Sequence, residues 1–291
     1  MLDYPALMAL ATVIRLGSFE AAAQALGVTQ SAVSQRIKTL EERMGTALVI
    51  RGQPCRGTEA GARLAHHAED VQLLEQRTLG DLGAPTPMAP ARIAVNADSL
   101  ATWFPGAMAA CPHLLFDLEI DDQEHSADWL RRGEVAAAVS AHPGAVRGCD
   151  STALGALRYI ATASPAYIER WLASGVTTES LGRAPAITYS SKDRLQLIWS
   201  EMATGTAVTA PSHMIGSSQG FVEMALAGIG WGMNPEPLIR DHLARGDLVP
   251  LLPDLALDVA LYWQVSRLMA EALAPLSRAV LQQARAVLVA P

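Results

Sequence analysis

FEAAAQALGVTQSAVSQRIKTL, residues 19–40, decides the reading of the whole chain. Ser18 and Thr29 each stand before a run of helix-forming residues, where a hydroxyl can accept from the first free N–H groups of a helix. Gly17 closes the helix before, and Gly27 permits a sharp turn that Val28 plugs. The stretch therefore predicts two short helices joined by a tight turn, with Ala21, Ala22 and Ala23 small enough for another helix to approach closely. In the second helix Val33, Ile37 and Leu40 fall on one face at i, i+4 and i+7, suited to a core. Gln30, Ser31, Ser34, Gln35 and Lys38 point away from it, and the capping Thr29 is a DNA-binding candidate beside them. Short hydrogen-bonding groups followed by a cation are what a helix in a DNA major groove needs. Gln can bond an adenine edge in two places, and Ser or Thr can bond several edges or a phosphate.

Upstream, Leu7, Leu10, Ala11 and Ile14 recur at helical spacing. Downstream, ALVIRGQPCRGTEAG (47–61) reads as a small β-hairpin. Its extended pieces, Ala47–Arg51 and Arg56–Thr58, flank a turn with Gly52 and Pro54. Arg36, Lys38, Arg51 and Arg56 are candidate phosphate grips that set register. From Thr29 to Arg56 five bases oppose two acids, a local surplus of three in a chain of net charge −7. That reads as a localised footprint for a polyanion or as an ordinary solvated face, and it argues against general coating of nucleic acid. Residues 59–82 read as one long helix capped by Thr58, with a stripe of Leu64, Ala68, Val71, Leu74 and Leu82 broken at Thr78. Glu69, Asp70, Glu75, Gln76 and Arg77 lie largely off it. Such a stripe dimerises or docks on its own chain. GAPTPMAPA (83–91) is a hinge. Beyond it strand-like runs alternate with helical segments: 92–96, 114–120, 135–140, 157–163, 186–189, 213–216 and 230–234. That alternation implies α/β layers with parallel sheets.

Other classes find little support. No run of eighteen apolar residues occurs, and the first residues lack a basic region before their apolar part, so neither a span nor a signal peptide is expected. Cysteines 55, 111 and 149 are odd in number and far apart, which points to a reducing, cytoplasmic setting. Adjacent His66 and His67 diverge on a helix, so no metal is expected. GSSQG (216–220) matches a nucleophile elbow with Ser218 at its centre. Only His242 follows it as a base, and the one intervening aspartate, Asp241, is that histidine's neighbour. AGIGWGM (227–233) lacks dinucleotide-binding register and reads as a tight backbone at an inter-domain strand. The expectation is a non-enzyme without cofactor.

The pattern Phe19-x-x-Ala22-Ala23-x-x-Leu26-x-Val28-Thr29-Gln30-Ser31-Ala32-Val33-Ser34-x-x-Ile37-x-x-Leu40-Glu41, then Gly45, Leu48 and Arg51, resembles the head of LysR-type transcriptional regulators. The hairpin, long helix, hinge and α/β body follow in that family's order. TQSAVSQRIKTLE, AVNADSLATWF (94–104), EIDDQEHSA (119–127), LRRGE (130–134) and LYWQ (261–264) look like its ArgP branch, also called LysG or IciA.

The resemblance implies a winged helix-turn-helix over 1–58, a dimerising helix over 59–82, a hinge over 83–91 and an effector-binding unit over 92–291. That unit would be two periplasmic-binding-protein-like subdomains, one of 92–160 with 262–291 and one of 161–261, joined by crossing strands. It further implies a homodimer assembling to a homotetramer on double-stranded DNA, contact with RNA polymerase, and control of an amino-acid exporter gene by L-lysine or L-arginine. The IciA name carries an alternative, inhibition of replication initiation by binding at the origin; another small effector is a third. The candidate effector residues are Asn96, Asp98, Ser99, Thr102 and Trp103 at the first strand-to-helix turn of the body, with Ser217 and Ser218 opposite. Backbone N–H groups at Ser99 and Leu100 could hold a carboxylate. Asp98, Asp122 or Glu124 could pair with an ammonium or guanidinium, and Trp103 could offer a cation–π face. Plain N-capping by Asp98 or Ser99, and core packing of Trp103, are the alternatives.

Overall fold

The computed structural model of the chain describes residues 2–121 and 126–290. It opens with α1 (Tyr4–Leu16), α2 (Phe19–Ala25) and α3 (Gln30–Met44), then a hairpin of β1 (Val49–Ile50) and β2 (Arg56–Gly57). The hydroxyls of Ser18 and Thr29 accept from Ala21 N and Ala32 N, and Gly17 adopts φ +65°. Val33, Ile37 and Leu40 are buried against Leu7, Leu10 and Val13 of α1, with Ala22 and Ala23 between. Glu41 ties the hairpin to α3, its carboxylate accepting from Leu48 N at 2.8 Å and Val49 N at 3.3 Å.

The long helix α4 (Glu59–Asp81) is capped by Thr58, whose hydroxyl accepts from Gly61 N. Its buried face is Gly61, Ala65, Ala68, Glu69, Leu73 and Gln76. That is rotated from the stripe expected through Leu64, Val71 and Leu74, which are only partly buried, while Leu82 is exposed. The reason is intramolecular: Ala65 and Ala68 join the head core, and Leu73 joins the core of the body. Gln76 is buried because its amide donates to the carbonyls of Pro87 and His113, at 2.9 and 2.8 Å. Residues 89–91, expected in the hinge, already form strand.

The body begins with β3 (Ala89–Val95), α5 (Ala97–Thr102), α6 (Phe104–Ala109), β4 (Leu114–Ile120), α7 (Ser126–Arg132) and β5 (Ala137–Ser140). The strand β6 (Cys149–Ala163) then leads into a second lobe. That lobe holds α8 (Pro165–Trp171), α9 (Thr178–Arg183), β7 (Ala186–Thr188), α10 (Leu195–Thr204), β8 (Ser212–Met214), α11 (Ser218–Leu226), β9 (Gly232–Pro235), α12 (Glu236–Arg245) and β10 (Val249–Pro250). The chain returns through β11 (Ala256–Ser266) and ends in α13 (Ala274–Val287). The main sheet runs β10-β6-β11-β5-β3-β4, with β9 also on β6. β3 is parallel to β4 and β5, and β7 to β8. The sheet is not parallel throughout, however, because β6 and β11 are paired antiparallel from Ala256↔Ile160 to Ser266↔Cys149. The strand expected at 157–163 is only the second half of β6, whose first half, CDSTALGA, carries no apolar run.

β6 and β11 serve both lobes: β5 pairs with β11 at one end, and β9 and β10 pair with β6 at the other. Between those ends the register slips at Leu261/Tyr262, opposite Gly155, where φ is +120°. A Cβ on Gly155 would stand 2.6 Å from the Val289 carbonyl oxygen, so the close approach of the C-terminal segment also requires glycine. The glycines of residues 227–233 answer the same need: a Cβ on Gly232 would meet the Phe221 ring at 2.4 Å.

Candidate effector cleft and DNA-binding head

The cleft lies where β3 and β4 end against the second lobe. Asn96, Ala97, Asp98 and Asp121 line it from the first lobe, and Tyr189, Asp193, Leu195, Phe221, Met233 and Pro235 line the rest. Asp98 is its centre. One carboxylate oxygen accepts from the Tyr159 hydroxyl at 2.7 Å, the other from the Ser218 hydroxyl at 2.6 Å. Asp98 stands in the first turn of α5, whose N-cap is Asn96, and its carboxylate reaches Ser218 of the second lobe. Asp121 accepts from Trp129 Nε1 at 3.1 Å and lies 3.7 Å from the Lys192 ammonium. Asp193 is held by Tyr189 N, Leu195 N and the Gln196 amide at 2.9–3.2 Å. Burial first, and then the Asp98 charge, push the Tyr189 phenol above its ordinary range. Three carboxylates around one small space favour a cation.

Other candidates have different roles. Trp103 is buried in the body core, edge-on to Phe104 at 5.6 Å, so its ring presents no cation–π face. The Leu100 N–H already donates to the Asn96 carbonyl, which removes it as a carboxylate holder. Thr102 donates to the Asp98 carbonyl at 2.6 Å, on its own helix. Ser99 is fully buried, and among the described residues its hydroxyl has no hydrogen-bond partner. Ser217 caps α11 by accepting from Gly220 N. Ser218 donates to Asp98 and not to a histidine, which removes the geometry of a nucleophile elbow. Asp122 and Glu124 lie outside the described residues. Asp121, Tyr189, Lys192 and Asp193 were not anticipated. Asp121 lies at the end of β4, and nothing local in EIDDQEH marks it as reaching a cleft completed by the second lobe.

In the head, Gln30, Ser31 and Gln35 are exposed on α3 and Ser34 and Arg36 are half-buried. Thr29 and Ser31 share a hydrogen bond at 3.0 Å, and Lys38 is 3.8 Å from Glu42. The Arg51 guanidinium lies over the Phe19 ring, 5.5 Å from its centre, which fixes the wing cation beside the start of α2. Arg56 is exposed on the opposing strand. Arg51→Ala should therefore weaken binding to every DNA sequence and flatten its salt dependence by about one phosphate's worth. A wild-type salt slope in filter binding would remove Arg51 from the interface.

Residues 5–62 match the family model for bacterial regulatory helix-turn-helix proteins of the lysR family, and residues 89–285 match the LysR substrate binding domain. The chain belongs to the LysR family of transcriptional regulators. Among relatives of this family, LysG of Mycobacterium tuberculosis is 44% identical over 269 residues, spanning 92% of this chain and 88% of its own. The crystal structure of ArgP from Mycobacterium tuberculosis aligns over 100% of both chains, with 42% identity and a TM-score of 0.79. Full-length LysG from Corynebacterium glutamicum, with bound effector Arg, covers 99% of this chain and 100% of its own, with 33% identity and a TM-score of 0.65. This LysR-type regulator is thus of the LysG/ArgP kind: a winged helix-turn-helix head on a two-lobed α/β body. Among the described residues no helix is long and apolar enough to cross a membrane.

Proposed function

We propose that this chain senses a cationic amino acid, L-arginine or L-lysine, in the cleft at Asp98, and switches transcription of an amino-acid exporter gene. The observation that carries the reading is the trio Asp98, Asp121 and Asp193 on one cleft. The Arg-bound Corynebacterium relative supports it. Gln30, Ser31, Ser34 and Gln35 read base edges, with Thr29 beside them. Arg36, Lys38, Arg51 and Arg56 hold phosphates. The partly buried stripe of α4 pairs two copies, and pairs assemble to tetramers that meet RNA polymerase on DNA in the cytoplasm.

The cleft holds only about 40 Å³, room for a few waters but not for an amino acid. The lobes must therefore part for the effector to enter. Binding then favours a lobe arrangement that the free protein adopts less often, and the heads move with it. A thermal-shift panel of the twenty amino acids tests the reading. L-arginine and L-lysine should raise the melting temperature, while neutral and acidic amino acids leave it unchanged; no shift with either cation would overturn it. Genome-wide occupancy should fall upstream of transport genes, and occupancy at the replication origin would favour the initiation-inhibitor role.

A further inference from the structure

We propose that Lys192 is a tethered counter-ion of the effector cleft, which bridges the lobes at Asp121 and is displaced by the cationic end of the effector. The proposal rests on the cleft being a cationic-amino-acid site. Its ammonium comes from the second lobe and lies 3.7 Å from Asp121 on the first. Both ends are built to meet. The turn carrying Lys192 is fixed by its own N–H donating to the Ser190 hydroxyl at 3.2 Å, by Asp193 N donating to the Ser190 carbonyl at 3.2 Å, and by Asp193 accepting from Tyr189 N. Asp121 is oriented by Trp129 Nε1 and by its own N–H donating to the Val95 carbonyl. The ion pair and the Ser218–Asp98 hydrogen bond both cross from lobe to lobe, so both must yield when the lobes part.

Among the described lining residues the cleft carries three carboxylates and no cation. Lys192 sets a positive charge at the mouth of this carboxylate-lined space. An entering guanidinium or ammonium offers Asp121 the same partner with better burial. Lys192 is then released to solvent, where its side chain, already 54% exposed, is well hydrated. The lysine therefore sets the concentration at which the regulator responds, by competing from within the chain.

The test is calorimetric titration of full-length wild type, Lys192→Met and Lys192→Arg with L-arginine and with L-citrulline, its neutral isostere. Lys192→Met should bind L-arginine about two- to fivefold more tightly, the span that exposed ion pairs are worth. Its affinity for citrulline should stay at the wild-type value, and Lys192→Arg should behave as wild type. Weaker binding of both ligands would make Lys192 a carboxylate holder and overturn the proposal, as would unchanged arginine affinity. If wild type binds no cationic amino acid, the reading of the cleft fails and this inference fails with it. The two failures are separated by the wild-type titration alone.

Discussion

Asp98→Asn should raise the dissociation constant for L-arginine and L-lysine by about two to three orders of magnitude. Removing one partner of a buried ion pair costs roughly 3–5 kcal/mol, and each 1.4 kcal/mol is about tenfold. The effect is large because Asp98 is where both lobes converge: Tyr159 of β6 and Ser218 of α11 both donate to it. Asparagine keeps the shape but offers one acceptor oxygen and one donor nitrogen. One of the two hydroxyls then loses its acceptor, at a cost of about 1–3 kcal/mol to the closed, empty cleft. Ser218→Ala alone removes one donor but keeps the carboxylate, and should lower thermal stability while leaving most of the arginine affinity in place. Calorimetry and thermal denaturation of the two single variants separate these effects. An Asp98→Asn protein binding arginine within threefold of wild type would displace Asp98 from the centre of the site.

Gly61→Ala should destabilise the head by at least about 3 kcal/mol, the upper end of what overpacking costs, and abolish operator binding. On helix propensity alone the change would be favourable by roughly 1 kcal/mol, so the sign itself is the test. A Cβ at Gly61 would stand 1.9 Å from the Leu48 carbonyl oxygen and 2.8 Å from its carbon, both backbone and unable to swing aside. That carbonyl accepts from Thr58 N at 3.0 Å, and the Thr58 hydroxyl donates to Ala47 O at 2.9 Å. Displacing Leu48 therefore detaches the wing and Arg51 with it. Because the body has its own core, the arginine-induced stabilisation should persist in this variant. Melting followed with and without arginine, beside gel-shift titration, measures both parts. Wild-type operator affinity would mean that the wing does not approach the helix so closely.

The head was legible because its determinants are local. Ser18, Thr29 and Thr58 cap by reaching three residues along the chain, and Val33, Ile37 and Leu40 share a face by helical period alone. The rotated face of α4 was not legible, since Gln76 looks like a solvent residue until the Pro87 and His113 carbonyls accept from its amide, and Glu69 until it is buried beside Arg92 of β3. Trp103 misled for a related reason: an aromatic beside a candidate site reads the same whether it lines the site or supports it. The first half of β6, CDSTALGA, is mostly polar and small and so carries no strand signal of its own. The cleft itself depends on strand ends brought together from distant parts of the sequence, so Asp98 and Ser218 could each be singled out from a strand-to-helix turn, but the hydrogen bond between them and the part of Tyr159 could not.

The slipped register between β6 and β11 bears on the mechanics of the response. In a two-stranded ribbon one extra residue interrupts the ladder, bends the strand and increases its local right-handed twist. The slip at Leu261/Tyr262 lies between the two zones where neighbouring strands clamp the ribbon. The ladder that joins the lobes is therefore interrupted between its two clamped zones, the place where a change of angle between the lobes would cost the fewest hydrogen bonds. Such a joint converts a contact made anywhere in the cleft into the same single coordinate, an angle. Effectors of different length would then differ in how far they turn it, and output would be graded by angle as well as by occupancy.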